Sequence, residues 1–269
     1  ASARPGGTMT VLAFGSVRGA PGATTTALLV AGAIEGAVLV EADLAGGVLA
    51  VRYGLSREPG LTTFAASSST EGTDWRSHAQ SAGGVPVLVG PDSPESCAAL
   101  WRGTEDRLAT ALTLVDTTVV VDVGRVGPST PMLTAADLVV LLVRPTADHL
   151  VTLTHRLAAL RRTSGAGHVG VVLVGSGAYR AADVTDSIDV DVLGELPDDP
   201  RAASILESGG GTRALARTRL ARADPGLANT PPGRRARRDA EPVRRGPRST
   251  SHHTGNTTNG PIPPLVRGA

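Results

Sequence analysis

Residues 10 to 25 read TVLAFGSVRGAPGATT, and this stretch decides the fold. An apolar, β-rich run from Thr10 to Gly15 enters a loop holding Gly19, Pro21 and Gly22, and Thr24 to Ile34 then has the composition of a helix. Strand, glycine loop and helix together make a phosphate cradle, because loop amides and the helix N-terminus converge on one point. The same turn serves equally well as a tight connection, so its surroundings must decide. A standard phosphate loop closes with Gly-Lys-Ser/Thr. Here it closes with Gly22-Ala23-Thr24.

Outward from this unit, β-rich runs alternate with helical stretches, the pattern of a mostly parallel sheet with right-handed crossovers. Strands are expected at Thr10 to Gly15, Ala37 to Glu41, Val85 to Val89, Thr118 to Asp122, Leu138 to Val143, His168 to Val174 and Val192 to Glu195. Helices are expected at Thr24 to Ile34, Gly47 to Tyr53, Pro94 to Val115, Ala147 to Arg162, Ala181 to Ser187 and Pro200 to Glu207, with Ser67 to Gly72 a polar loop. The fold class is α/β: three αβα layers around a mostly parallel sheet of about seven strands. Aromatic residues make up only 2% of the 269, so the core must be Ala, Val and Leu, which suits strands buried on both faces.

After Ser208 the periodicity ends in Gly209-Gly210-Gly211, and Arg, Pro, Gly, Thr and Asn follow. The expected organisation is an extension at 1–8, a domain at 9–211, and a disordered Arg/Pro-rich tail at 212–269, within which Arg213 to Arg222 has the makings of a short basic helix. The net charge of +1 hides an asymmetry: from Arg213 onward 12 Arg face Asp224, Asp239 and Glu241, so the tail is near +9 and the rest near −8. All 26 basic residues are Arg; the chain has no Lys. Cys97 alone permits neither an intramolecular disulfide nor a cysteine-clustered metal site, in keeping with a reducing cytoplasm. No apolar run reaches the ~18 residues of a membrane span. His149 and His155 stand six apart, off the i, i+4 spacing of helical metal ligands, and His252-His253 is no better placed.

Five landmarks in order resemble the MinD/ParA family of P-loop ATPases, over roughly Thr10 to Gly211. The loop is similar to the family's deviant Walker A, Lys-Gly-Gly-x-Gly-Lys-Thr-Thr, with Arg18 at the signature lysine, Ala20 at a glycine and Ala23 at the phosphate lysine; Gly19, Gly22, Thr24 and Thr25 match. Glu41-Ala42-Asp43 with Gly46-Gly47 resembles Asp-x-Asp, and Asp122 after Val119-Val120-Val121 resembles the Walker B aspartate. Ala135-Ala136-Asp137 leads to a strand ending in Arg144-Pro145-Thr146, and Leu193 to Pro200 resembles Leu-Gly-x-Ile-Pro-x-Asp.

The resemblance implies ATP and Mg²⁺. Gly19, Ala20, Pro21, Gly22, Ala23, Thr24 and Thr25 would cradle the phosphates, with Pro197 and Asp199 near the base. Thr24, Glu41 and Asp122 would hold the metal or its waters; Asp43 would orient the attacking water. Arg18 would reach a partner's phosphate across a homodimer. Loss of one charge-assisted contact at Ala23 is worth about 1.5 to 3 kcal/mol, or roughly 10- to 150-fold in affinity, and on the order of 10² to 10³ in rate. No Asn follows Val174 to mark the base. The implied function is a dimerising nucleotide switch with weak ATPase activity that partitions or positions DNA or a cellular apparatus with a protein partner or cargo; pilus-associated members with atypical loops are similar. Two other readings stand beside it: a non-hydrolysing scaffold, and a nucleic-acid adaptor acting through Arg234 to Arg238 and Arg244-Arg245.

Overall fold

The computed structural model describes residues 11–19, 22–67, 74–127, 130–162, 168–211, 214 and 218–222. The expected extension at 1–8, Ala20 and Pro21 of the loop, most of the polar loop after Ser67, and nearly all of the expected tail lie outside them. Eight strands form one sheet: β1 (Val11–Ser16), β2 (Val38–Glu41), β3 (Gln80–Ala82), β4 (Val85–Leu88), β5 (Val119–Arg125), β6 (Leu138–Val143), β7 (His168–Val174) and β8 (Asp191–Leu196). Their spatial order is β3-β4-β2-β5-β1-β6-β7-β8. All neighbours run parallel except β3, which lies antiparallel to β4 at the edge. The sheet is thus one strand larger than expected. Gln80–Ala82 is too short and too polar to announce itself, and it owes its place to the hairpin through Gly83-Gly84.

The helices are α1 (Ala23–Ala33), α2 (Leu49–Tyr53), α3 (Leu61–Ser67), α4 (Pro94–Trp101), α5 (Glu105–Thr113), α6 (Ala147–Arg162), α7 (Ala181–Ile188), α8 (Pro200–Glu207) and α9 (Arg219–Arg222). Where one helix was expected from Pro94 to Val115 there are two. The chain leaves α4 at Arg102 and Gly103, and α5 starts anew with Glu105 and Asp106 in its first turn, where carboxylates complement the helix dipole.

Alternation along the strands divides the interior in two. Leu12, Phe14, Leu39, Val120 and Val140 pack with Ala27, Leu28 and Ala31 of α1 and Ala202 and Leu206 of α8. Val11, Ala13, Val121, Val139 and Leu141 face Phe64 of α3, Leu108 and Leu112 of α5, and Leu153 and Leu157 of α6. Leu39, Leu141 and Leu153 are fully buried, each worth about 1.5 to 3 kcal/mol relative to exposure. Among the described residues, no helix is long and apolar enough to cross a membrane.

The chain works outward from β1 through β2 and β4, returns to β5 beside β1, and then crosses to β6 on the other flank. Ligands in open α/β sheets bind outside the strand C-termini at such a reversal. The reversal here lies at the end of β1. The β1–β5 pairing is interrupted there: Phe14 pairs with Asp122 but Gly15 pairs with Gly124, leaving Val123 as an extra residue in β5.

Candidate nucleotide site

Helix α1 begins at Gly22, whose φ of 82° and ψ of 40° are left-handed. No side chain caps it and no acidic residue stands in its first turn. Its first amides therefore keep their donors and the positive end of the dipole for an outside anion. Thr24 sits in that first turn. The Ala23 side chain instead packs into the α1-side core.

The Thr24 hydroxyl hydrogen-bonds the carboxylate of Asp122, midway along β5. Asp122 is 1% exposed and also accepts from the Gly124 amide at 3.0 Å. Burial lifts its carboxyl from 3.8 to about 7; the Thr24 and Gly124 bonds oppose the rise, and the neighbouring charges of Glu41 and Asp43 add to it. A buried carboxylate beside two other acids is costly unless a cation joins it.

Glu41, at the end of β2, is equally buried, but its oxygens are engaged. Oε1 accepts from the amides of Val48 (2.6 Å) and Leu49 (2.9 Å), and Oε2 from the Gly90 amide (3.1 Å). The carboxylate caps α2 and ties the ends of β2 and β4 together. Burial is the main cause of a raised carboxyl pKa there too, against three backbone bonds that lower it.

Asp43 follows in the turn after β2, its Oδ1 accepting from the Ala45 amide at 2.8 Å. Burial raises its carboxyl pKa, with the Ala45 bond and the charge of Arg125 pulling the other way. Its carboxylate lies flat on Gly124: a Cβ there would stand 2.0 Å from the Asp43 Cγ, and the φ of +61° also disfavours a side chain. Cys97 supports the same turn from below. Its thiol donates to the Asp43 carbonyl at 3.2 Å, and burial, with the charges of Asp43 and Glu41, pushes it up to about 11. It is structural and unreactive.

Arg18 projects from the loop into an ion pair with Asp148 at the start of α6 (3.1 Å), with side chains 51% and 57% exposed. Thr146 also donates to Asp148, at 2.7 Å. An exposed pair of this kind is worth about 0 to 1 kcal/mol, so it opens at little cost.

On the other side of α1, a cleft of about 100 Å³ is lined by Gly22, Thr25, Arg144, Pro197, Asp199 and Leu220, among others. This is smaller than the ~300–1,000 Å³ of an enclosing ligand pocket, so an occupant stays partly in solvent. Asp199 caps α8 through the Ala202 amide (3.1 Å) and accepts from the Leu220 amide (3.0 Å). Residues 218–220 thereby return to the cleft wall. Arg144 and Asp198 pair across its rim at 3.2 Å.

The fold thus brings Gly19, Gly22, Thr24, Thr25, Asp43 and Asp122 to one end of the sheet, with Pro197 and Asp199 beside them. Gly124, Arg125 and Leu220 also stand here, and none was picked out from sequence. The available signal was position: Gly124 and Arg125 stand two and three residues beyond the aspartate that closes the apolar run Val119-Val120-Val121.

For a cofactor, the donor set at Thr24 and Asp122 is one hydroxyl and one carboxylate. It is all oxygen and fits Mg²⁺, which takes one or two carboxylates and completes its shell with waters and substrate phosphates. Among the described residues no group of three or more His, Cys, Asp or Glu is arranged to hold a metal by itself. The uncapped α1 N-terminus suits phosphate.

The sequence matches no protein-family model and no curated protein. Solved structures do resemble the chain. A ParA family ATPase from Chlorobium tepidum superposes with a TM-score of 0.68 at 16% identity, over 82% of this chain and 98% of its own. The cell division ATPase MinD of Pyrococcus furiosus gives 0.67 at 17%, over the same 82% and 98%. A plasmid partition protein from Borrelia burgdorferi bound to AMPPNP gives 0.56 at 12%, over 75% and 90%. These likenesses show that the chain has the fold of the MinD/ParA-family P-loop ATPases.

Proposed function

We propose that this chain is a nucleotide-dependent switch of the MinD/ParA kind, binding Mg·ATP at the end of β1 and used to partition or position a cargo. The observation that carries the reading is the hydrogen bond between Thr24 and the buried Asp122 beside an uncapped helix N-terminus. Thr24 and Asp122 would hold the metal, the amides of Gly19 and of Gly22 to Thr25 would hold the phosphates, and the base would lie toward Pro197. Bound Mg²⁺ supplies charge neutralisation at the phosphates. Asp43, fixed by Ala45 and seated on Gly124, orients the attacking water. Glu41 keeps the β2 and β4 ends in register behind the site instead of binding metal. With Ala23 in the lysine position turnover is slow, and a scaffold that binds without hydrolysing is the second reading that this substitution favours.

The switch works as a homodimer in which Arg18 leaves Asp148 for the partner's phosphate, and the segment beyond Arg222 adds weak, sequence-independent affinity for nucleic acid. Related folds are described as a cell division ATPase, a plasmid partition protein and a MinC:MinD complex, which supports a cargo or protein partner.

The test is calorimetry with Mg·ATP on the wild type and Asp122→Asn, with phosphate release followed in the same samples. Micromolar binding lost in the variant supports the switch. No binding at millimolar ATP refutes it and leaves a scaffold. Arg18→Ala is expected to bind nucleotide but not to dimerise; wild-type dimerisation by sedimentation removes Arg18 from the scheme.

A further inference from the structure

A polyphosphate in this loop meets a site with no lysine, since none exists in the chain. The position that would carry it, Ala23, is turned into the core. Arg18 is held by Asp148. One more cation stands at the loop. A Cβ placed on Gly19 would lie 2.7 Å from a terminal guanidinium nitrogen of Arg125 and 3.8 Å from its Cζ, so the guanidinium rests directly against the loop backbone.

The backbone delivers it there. In a regular strand Arg125 would share a face with Val121 and Val123, both in the core opposite α1. The extra residue at Val123 resets the alternation. Arg125 pairs with Ser16 in β1, on the face of Leu12 and Phe14, while Val126 turns into the opposite core. The Val126 amide fixes this arrangement by donating to the Ser16 carbonyl at 2.9 Å. Bulges beside active sites commonly re-aim a side chain in this way. Arg125 therefore stands on the same side as Asp122, exposed to solvent. Among the described residues it makes no ion pair within 4.0 Å, and its charge stabilises the Asp43 carboxylate.

We infer that Arg125 supplies, from the end of β5, the cationic contact to the nucleotide's β- and γ-phosphates that a lysine at position 23 would otherwise make. The inference rests on the nucleotide reading of the site above. A guanidinium suits the role: it stays charged at every working pH and presents two parallel donors to phosphate oxygens. Its withdrawal from Asp43 toward phosphate also couples ligand binding to the residue that orients water.

The experiment measures binding of Mg·ATP, Mg·ADP and AMP by calorimetry to the full chain as wild type, Arg125→Ala, Arg125→Lys and Asp122→Asn. Arg125→Ala is expected to weaken Mg·ATP roughly 10- to 150-fold, with AMP, which has no β- or γ-phosphate, nearly unchanged. Arg125→Lys, which keeps the charge at the same place, is expected to hold on to most of the affinity, a rescue that repair of a merely structural defect would not give. If the wild type binds Mg·ATP and Asp122→Asn does not, but Arg125→Ala binds as the wild type does, Arg125 has no such role and the nucleotide site stands. Equal weakening for AMP and ATP, with no rescue by lysine, also overturns the inference. A wild type that binds none of the three overturns both readings. Circular dichroism melts of each variant separate loss of binding from loss of fold.

Discussion

Replacing Asp122 by Asn should make the ligand-free protein more stable at neutral pH while removing its function. The Asn side chain is isosteric, its oxygen still accepts from the Gly124 amide, and the Thr24 hydroxyl can turn to pair with it. What disappears is a buried negative charge beside Glu41 and Asp43. A carboxyl whose folded pKa is about 7 against an ordinary 3.8 keeps its proton in the folded chain and loses it in the unfolded chain between those two values. Its ionisation therefore costs stability progressively as pH rises from about 4 to 7, and the cost is complete above 7. The size is on the order of 2 to 4 kcal/mol at pH 8, or roughly 5 to 12 °C in Tm for a domain of this length. Urea unfolding of wild type and variant at pH 5 and pH 8 checks it: the variant's advantage should be about 1 to 2 kcal/mol at pH 5 and at least double at pH 8. A variant no more stable than wild type at pH 8, or an advantage equal at both pH values, would refute the reasoning.

Glu41→Gln keeps the shape of the side chain but sets an NH₂ group against at least one of three amides that now donate to carboxylate; a loss of about 1 to 3 kcal/mol is expected in chemical denaturation. Gly124→Ala combines a left-handed φ with a clash against Asp43, and should lower stability by at least about 1 to 2 kcal/mol and abolish any phosphate release. Truncation after Arg222 should leave the melting temperature unchanged. Truncation after Gly211 removes buried Thr218 and the Leu220–Asp199 bond and should lower stability by about 1 to 2 kcal/mol.

The centre of the parallel sheet was legible because strands such as β1 and β6 are apolar runs buried on both faces. Leu138–Val143 and His168–Val174 begin and end where their sequence does. The elements that were not legible depend on something else. Gln80–Ala82 becomes a strand through its partner Val85–Leu88, and the short Leu61–Ser67 helix through packing of Leu61 and Phe64 beneath the sheet. Within the site, Thr24, Asp43 and Asp122 were readable because they follow strand ends at fixed offsets. Their division of labour with Glu41 was not. The three acids look alike in sequence, and what sets Glu41 apart in the fold is that three backbone amides converge on its carboxylate. Arg125 was hidden because the strand was expected to stop at Asp122, whereas β5 runs on to Arg125 past the extra residue at Val123.

The single extra residue at Val123 has a further consequence, for which changes this protein can tolerate over evolutionary time. Downstream of it an arginine faces solvent and a valine faces the core; shortening the strand by one residue would exchange them, burying a guanidinium and exposing an isopropyl group. Substitutions along β5 can be absorbed one at a time, but an insertion or deletion between Asp122 and Val126 cannot. The length of this strand is therefore constrained more tightly than its composition.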